Sequence, residues 1–304
     1  MPDPRPIGFF DSGVGGLTVL REAQRRLPGE STIYLGDSAR HPYGTRSDAE
    51  VLRFSEELAD ALVGEGVKAV MVACNTATAV ALAPLRARHP SVPIIGVVRP
   101  GAAAAALATR TGRIGVIATE ATVRSGAYFA ALKDQNPALS IQQVVASSLV
   151  PLIEAGELGS PRLLAAVEEA LAPLLVAPPQ ERIDTLLLGC THFPLIRAAF
   201  AAVLGDTIAI VDSSAAAAGT LREVIAVNHL EAPGSTRGTA ADAGRAGHEA
   251  PERTAVEAAH RLLTTGDPAA VGPLADRLFG EGAGGRVERY GLATAPGGGG
   301  PSGG

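Results

Sequence analysis

Ala69-Val70-Met71-Val72-Ala73-Cys74-Asn75-Thr76 is the stretch of this 304-residue chain that decides the fold. An unbroken apolar run that ends in a polar turn, followed by a helical pattern over residues 77–88, is typical of a buried parallel strand leading into a helix. Such a turn lies at the carboxyl edge of an α/β sheet, where these sheets bind ligands. The stretch therefore predicts an α/β fold and places Cys74 at a ligand-binding edge.

A second stretch repeats this pattern. Thr185-Leu186-Leu187-Leu188-Gly189 is followed by Cys190-Thr191-His192-Phe193-Pro194 and by a helical pattern from Leu195. Since Cys74 and Cys190 are the only cysteines in the sequence, the two turns predict a pair of matched catalytic thiols. A helix N-terminus stabilises a thiolate and lowers the thiol pKa from about 8.5, so we expect either cysteine to act as a base near neutral pH.

Three other interpretations of the cysteines remain open. A lone buried cysteine most often serves as a small hydrophobic side chain. A disulfide would need an oxidising compartment. A zinc site built from Cys74, Cys190 and His192 would lack a fourth ligand and the closely spaced ligand pairs of structural sites. The repeated strand–thiol–helix context favours the catalytic interpretation.

The composition indicates a globular protein of about two domains that acts on a small molecule. Hydrophobic residues make up 46% of the chain, but no run approaches the roughly 18 apolar residues that span a membrane. The net charge of −5 offers no general attraction to nucleic acid or to an anionic membrane. Residues 1–6 lack the segments of a signal peptide, so we expect a cytoplasmic protein. Neither lysine, Lys68 or Lys133, resembles a Schiff-base lysine, which argues against pyridoxal phosphate.

Short apolar runs alternate with helical patterns, which predicts parallel sheets built from βαβ units. Strands are predicted at residues 7–10, 33–35, 69–73, 94–98, 114–118, 141–145, 185–188 and 208–211. Helices are predicted at residues 17–27, 48–63, 77–88, 160–176, 215–227, 255–264 and 273–279. Pro100-Gly101 marks the boundary between two lobes. Few large apolar residues occur in 228–253 or 295–304, which we expect to be a disordered insertion and a flexible tail.

A glycine-rich turn follows the first predicted strand. It reads Asp11-Ser12-Gly13-Val14-Gly15-Gly16, and its glycines would let backbone N–H groups approach a carboxylate or phosphate at a helix N-terminus. Asp11 is either an N-cap or an acid that faces the same sheet edge as Cys74. His192 stands two residues after Cys190, where an imidazole stabilises a thiolate or relays protons.

Four motifs together resemble the glutamate racemases of the cofactor-independent aspartate/glutamate racemase superfamily. They are Phe10-Asp11-Ser12-Gly13-Val14-Gly15-Gly16, Pro42-Tyr43-Gly44, Ala73-Cys74-Asn75-Thr76-Ala77 and Leu188-Gly189-Cys190-Thr191-His192-Phe193-Pro194, with a further likeness at residues 262–267. The resemblance implies two similar lobes, each a mainly parallel sheet flanked by helices, with the active site between them. It also implies a discontinuous first lobe, residues 1–98 and 208–290, around a second lobe of residues 99–207.

The resemblance further implies roles for individual residues. Cys74 and Cys190 would be bases on opposite faces of the glutamate Cα, with Asp11 assisting Cys74, His192 assisting Cys190 and Glu154 as a further acid. The substrate-binding residues would be Asp11, Ser12, Tyr43, Gly44, Asn75, Thr76, Thr191 and His192, together with Thr119 and Thr122.

The function expected from this resemblance is reversible racemisation of L-glutamate and D-glutamate without a cofactor or metal, supplying D-glutamate for peptidoglycan synthesis. Glutamate would be the small-molecule substrate, and formation of a homodimer is possible. Two alternatives also remain: a racemase for aspartate or another acidic amino acid, and a non-catalytic amino-acid-binding protein of the same fold.

Overall fold

The computed structural model describes residues 2–176, 178, 181–234 and 258–292 of the chain. The strands are β1 (Ile7–Asp11), β2 (Thr32–Gly36), β3 (Ala69–Val72), β4 (Ile94–Gly96), β5 (Arg113–Ala118), β6 (Ser140–Val145), β7 (Thr185–Gly189), β8 (Ala209–Asp212), β9 (His260–Thr264) and β10 (Val287–Arg289). The helices are α1 (Leu17–Arg26), α2 (Asp48–Gly64), α3 (Asn75–Arg88), α4 (Val98–Ala108), α5 (Glu120–Arg124), α6 (Ala127–Gln135), α7 (Leu149–Glu154), α8 (Pro161–Leu175), α9 (Arg197–Leu204), α10 (Ser213–Val227) and α11 (Pro268–Phe279). Short 3-10 helices lie at Tyr43–Thr45, Phe193–Ile196 and Gly284–Arg286.

Two parallel sheets carry the fold, one in each lobe. The first sheet has the strand order β10-β9-β2-β1-β3-β4, and the second has the order β6-β5-β7-β8. Every pairing in both sheets is parallel. The predicted α/β class is confirmed, and all eight predicted strands occur.

Helices cover both faces of the first sheet, which explains the unbroken apolar reading of its central strands. On one face, Leu17 of α1 and Leu221 of α10 belong to the same buried cluster as Phe9 and Met71. On the other face, the buried cluster contains Phe10 and Val72 together with side chains of α2 and α3. Because the side chains on both faces of β1 and β3 pack against helices, neither strand alternates apolar with polar positions.

The predicted return to the first lobe at residue 208 falls one strand too early. Residues 209–212 form β8, which pairs with β7 in the second sheet. The chain instead leaves the second lobe at α10, whose residues Ala217, Leu221 and Ile225 are buried against the first lobe. Sequence alone could not separate these cases because β8 is a short apolar strand of the same kind as those in either sheet.

The prediction of a helix over residues 255–264 is wrong where the structure describes it. Residues 260–264 form β9, an interior strand of the first sheet between β2 and β10. A short apolar run cannot be assigned to helix or strand by periodicity alone, and here the two flanking strands determine the outcome.

The structure describes only the first part of the predicted insertion. Residues 228–234 lie against the first lobe, where Ala232 is buried. Residues 235–253 and the predicted tail at 295–304 lie outside the described part of the chain.

A buried ion pair between Lys68 and Glu30 lies at the start of β3. Lys68 Nζ lies 2.5 Å from Glu30 Oε2, and the two side chains are 0% and 2% exposed. Lys68 also donates a hydrogen bond to the Asp3 carbonyl, while Glu30 Oε1 accepts one from the Ala232 N–H. The pair therefore joins the N-terminal segment, β3 and the segment after α10.

We predict that Lys68→Met lowers the free energy of unfolding by about 3–5 kcal/mol, because the Glu30 carboxylate would stay buried without its counter-charge. Chemical denaturation measures the change. Lys68→Met combined with Glu30→Leu is the matched control, and it should recover much of the loss because no unpaired charge remains. A loss in the double variant as large as in Lys68→Met would contradict this explanation.

Among the described residues, no helix combines the length and the apolarity required to cross a membrane.

Candidate active site

Both cysteines line a single cavity between the two lobes. Cys74 follows β3 of the first lobe, Cys190 follows β7 of the second, and both thiols are free and buried. The cavity has a volume of about 100 Å³. Since one ordered water takes roughly 10–15 Å³ of such a volume, the cavity has room for roughly seven to ten atoms other than hydrogen. That is the size of a small amino acid.

The remaining walls of this cavity are mostly hydroxyl and apolar groups. They are Ser12, His41, Pro42, Tyr43, Gly44, Thr45, Asn75, Thr76, Thr119, Ser147, Val150, Pro151, Gly189, Thr191 and His192. These residues include no lysine or arginine, so an anionic ligand would be held here by hydroxyl, amide and backbone donors.

Cys74 caps the first turn of α3. Its Sγ accepts a hydrogen bond from the Ala77 N–H at 3.4 Å, which is the helix-terminal contact that the sequence predicted. Its S–H donates to Ser12 Oγ at 3.6 Å, and Ser12 in turn donates to Asp11 Oδ1 at 3.5 Å. The three side chains form a chain from the thiol to a buried carboxylate.

The expectation of a lowered pKa is wrong for Cys74. Burial, followed by the negative charge of Asp11, raises the pKa of Cys74 to about 12. The Ala77 N–H works in the opposite direction but is outweighed. Removing water from an anion costs more than one backbone N–H returns, so Cys74 is a thiol at neutral pH.

Asp11 organises the glycine-rich turn rather than lining the cavity. Its Oδ2 accepts hydrogen bonds from the Gly16 N–H at 2.8 Å and the Gly13 N–H at 3.3 Å. The carboxylate is fully buried and also lies 3.5 Å from the Tyr34 hydroxyl. Asp11 therefore stands behind Ser12 and Cys74. Of the two roles that the sequence left open, the acid near the thiol fits this position, whereas the N-cap of α1 is Gly16 and not Asp11.

Cys190 has a different set of partners. Its Sγ lies 3.7 Å from His192 Nδ1, and His192 Nε2 lies 2.8 Å from Glu154 Oε1. Cys190 precedes the 3-10 helix Phe193–Ile196, not an α-helix, so the predicted helix terminus is absent at this thiol. An imidazole takes its place as the partner of the sulfur.

His192 and Glu154 are held as an ion pair. Burial opposes the charge on His192, but its hydrogen bonds to Cys190 and Glu154 outweigh that cost and raise its pKa to about 10. Burial also opposes ionisation of Glu154, yet the hydrogen bonds from His192 and His41 lower its pKa to about 2. At neutral pH, a cationic imidazole therefore faces the Cys190 sulfur.

Three threonine hydroxyls, one from the first lobe and two from the second, lie within hydrogen-bond distance of one another. Thr76 Oγ1 lies 3.0 Å from Thr119 Oγ1 and 3.2 Å from Thr122 Oγ1, and the two second-lobe hydroxyls are 3.0 Å apart. Thr76 and Thr119 line the cavity, whereas Thr122 is fully buried behind them.

Asn75 presents an unpaired donor at the cavity. Its Oδ1 accepts a hydrogen bond from the Tyr128 hydroxyl at 2.5 Å, which leaves the buried Nδ2 without a partner among the described residues. Tyr43 also lines the cavity, but its hydroxyl is bonded to Asp37 Oδ2. Of these two predicted ligands, Asn75 is the one with a hydrogen-bond donor to spare, and an anionic oxygen is the partner that suits it.

Glycines allow the lobes to approach across the cavity. A Cβ on Gly15 would lie 2.5 Å from His192 Nδ1 and 2.6 Å from Thr191 Oγ1. A Cβ on Gly44 would lie 2.7 Å from the Thr119 Cβ. Both glycines belong to the predicted motifs, and their absent side chains make room for second-lobe residues.

Sequence reasoning missed His41 and Ser147. His41 lines the cavity, and its Nε2 lies 2.8 Å from Glu154 Oε2. The signal that could have identified it is its place directly before Pro42-Tyr43-Gly44, a motif already singled out. Ser147 lies in an ordinary loop after β6, and nothing in its neighbourhood pointed to the cavity.

Comparisons with known proteins give a consistent result. A family model described as Asp/Glu/Hydantoin racemase matches residues 17–221. Glutamate racemase from Beutenbergia cavernae is 44% identical over 281 residues, which cover 90% of this chain and 89% of that protein.

Two solved structures are similar over nearly the whole chain. The crystal structure of glutamate racemase isoform RacE1 from Bacillus anthracis has a TM-score of 0.81 at 35% identity, covering 94% of this chain and 96% of that one. Glutamate racemase from Francisella tularensis, in complex with D-glutamate, has a TM-score of 0.80 at 29% identity, covering 95% of this chain and 98% of that one.

Proposed function

The chain belongs to the Asp/Glu/Hydantoin racemase family and is an isomerase, and on this premise we propose that it interconverts L-glutamate and D-glutamate by proton transfer between two cysteines. The observation that supports this most strongly is the single cavity that Cys74 and Cys190 line from opposite lobes. Inversion at Cα needs a base on one face and an acid on the other, and this arrangement supplies one sulfur for each.

The two thiols differ in a way that suits opposite tasks. Burial and Asp11 keep Cys74 protonated, while the His192 cation beside Cys190 is the partner that a thiolate requires. We propose that the Cys190 thiolate removes the Cα proton while the Cys74 thiol delivers its own proton to the opposite face. The products of this step are the other enantiomer, a Cys190 thiol and a Cys74 thiolate.

The reverse reaction starts from that second form of the enzyme. The Cys74 thiolate then removes the proton and the Cys190 thiol delivers one. A hydrogen-bonded path leads away from each thiol, from Cys74 through Ser12 to Asp11 and from Cys190 through His192 to Glu154. Each path ends at a carboxylate, so each half-site has its own general acid–base helper.

The same cavity supplies groups that stabilise the carbanion. Negative charge that develops at Cα spreads onto the α-carboxylate, where pre-positioned donors are worth more than they are in water. We propose the unpaired Asn75 Nδ2, with the hydroxyls of Ser12, Thr76 and Thr191, for this task. Tyr43 and Gly44 would bound the substrate on the side of the 3-10 helix Tyr43–Thr45.

We further propose that the reaction needs no cofactor, since the sulfur pair provides both the base and the acid. The D-glutamate formed would supply peptidoglycan synthesis in the cytoplasm, where the free thiols stay reduced. A non-catalytic binding protein is the weaker alternative, because both thiols and both of their acid–base helpers are in place.

A coupled assay for D-glutamate formation tests the proposal on the purified protein. We expect kcat/KM for L-glutamate to exceed that for L-aspartate by roughly 10–200-fold, the discrimination that one methylene group provides in a closed cavity. Both amino acids are measured under identical conditions. An aspartate value equal to or above the glutamate value would favour the alternative substrate.

A further inference from the structure

Glu154 shares its carboxylate between the two lobes. Oε1 lies 2.8 Å from His192 Nε2 in the second lobe, and Oε2 lies 2.8 Å from His41 Nε2 in the first lobe. Glu154 is the last residue of α7, and His41 lies in the loop between β2 and the 3-10 helix Tyr43–Thr45. One oxygen therefore serves the Cys190 half-site, while the other joins that half-site to the opposite lobe.

The contact with Glu154 is the polar anchor of His41. Its other ring nitrogen, Nδ1, is buried and has no hydrogen-bond partner among the described residues. The ring packs closely on the glycine-rich turn, because a Cβ on Gly13 would lie 2.9 Å from Nδ1. For Nε2 to donate to Glu154 it must carry a hydrogen, so the contact also selects the Nε2-protonated tautomer of a neutral ring.

His41 and His192 together form a partition between two cavities. Their ring centroids are 6.0 Å apart, and both residues line the reaction cavity as well as a second cavity of about 340 Å³ next to α11. Glu154 lines the second cavity and joins the two rings from that side. The His41 side chain is 17% exposed and that of Glu154 is 26%, so solvent screens their interaction only in part.

We propose that His41 is a positioning residue, which holds the Glu154 carboxylate against His192 and so makes completion of the Cys190 proton path depend on contact between the two lobes. The inference rests on the proposed two-thiol function. Without the His41 contact, the Glu154 carboxylate could rotate towards the second cavity and leave His192 with a weaker partner. His41 itself does not touch Cys190, so its effect passes through Glu154.

His41→Phe and His41→Gln test the proposal together. Phenylalanine keeps a ring of similar size but removes the donor, whereas the glutamine amide can still donate to Glu154. We expect His41→Phe to lower kcat by about 10–100-fold with less than about threefold change in KM, because general acid–base helpers act on the chemical step. His41→Gln should stay within about threefold of the parent enzyme. His89→Phe is the matched control, since His89 pairs with Asp60 at 2.9 Å outside either cavity, and it should leave kcat unchanged.

A double-mutant cycle separates positioning from a general structural effect. On a Glu154→Gln background, His41→Phe should cost less than about twofold, because the carboxylate that it positions is already gone. Full additivity of the two losses, or failure of His41→Gln to rescue, would overturn the proposal.

A measurement without substrate separates failure of this inference from failure of the proposed function. NMR of ¹⁵N-labelled histidine rings follows the protonation of His192. Its titratable and charged neighbours among the described residues are Cys190 and Glu154, together with His41 in the other lobe and Arg277 on the far side of the second cavity. We expect the titration midpoint of His192 to move downward by about one pH unit in His41→Phe, as expected for weakening of one charged partner. An unchanged midpoint would refute the inference. Absence of glutamate turnover in the parent enzyme would instead refute the proposed function.

Discussion

Replacing either Cys74 or Cys190 with alanine is expected to lower racemase turnover by about 10⁴-fold, because each variant lacks the acid or the base on one face of Cα. Initial rates of D-glutamate and L-glutamate formation provide the measurement. Serine replacements should also be severely impaired, since a hydroxyl is a far poorer source of anion than a thiol at neutral pH.

The alanine variants also carry an internal control. The remaining thiol can still remove and return a proton on its own face, so each variant should exchange the Cα proton of one enantiomer with solvent deuterium. Cys74→Ala and Cys190→Ala should exchange opposite enantiomers. Such exchange would show that the variant is folded and binds substrate. Substantial racemase activity in either alanine variant would overturn the two-thiol mechanism.

Replacing His192 with asparagine is expected to lower kcat by about 10²–10⁴-fold and to do so unequally in the two directions. The substitution removes the cation beside Cys190 and leaves the Cys74–Ser12–Asp11 path intact. The equilibrium constant between the two enantiomers is one, so kcat/KM must be the same in both directions. The difference between the directions should therefore appear in kcat and in the primary isotope effects for Cα-deuterated substrates.

Asp11→Asn is the matched counterpart of His192→Asn. Burial is the larger cause of the raised pKa of Cys74, and the substitution removes the second cause, the Asp11 charge, while it leaves the Cys190 half-site intact. We expect the inequality between directions to be reversed relative to His192→Asn. Isotope effects that stay identical in both directions, and unchanged from the parent enzyme, would contradict the assignment of a separate helper to each thiol.

Much of the fold could be predicted because buried parallel strands leave a strong signal. The runs before Cys74 and Cys190 are covered by helices on both faces, so their unbroken apolar reading is a direct result of their position. Residues 260–264 gave no such signal. They form a strand because β2 and β10 flank them, which is a tertiary pairing that a local pattern does not encode.

The sequence predicted which residues form the site better than it predicted their pKa values. The motifs indicated both cysteines and His192, and the structure places all three around one cavity. The helix-terminus argument failed for Cys74 because it counted one favourable contact and omitted burial and the Asp11 charge, which depend on the packed structure. His41 was missed because its partner, Glu154, lies in the other lobe, more than a hundred residues away along the chain.

The fate of the Cα proton in deuterated water tests the central claim most directly. The reaction is stopped at low conversion, and mass spectrometry measures deuterium separately in the product and in the residual substrate. If Cys74 and Cys190 act from opposite faces, the first product molecules carry solvent deuterium while unreacted substrate stays mostly protiated, because the proton removed and the proton delivered belong to different sulfurs. Product that retains the original proton would show that one base serves both faces, and would contradict the account.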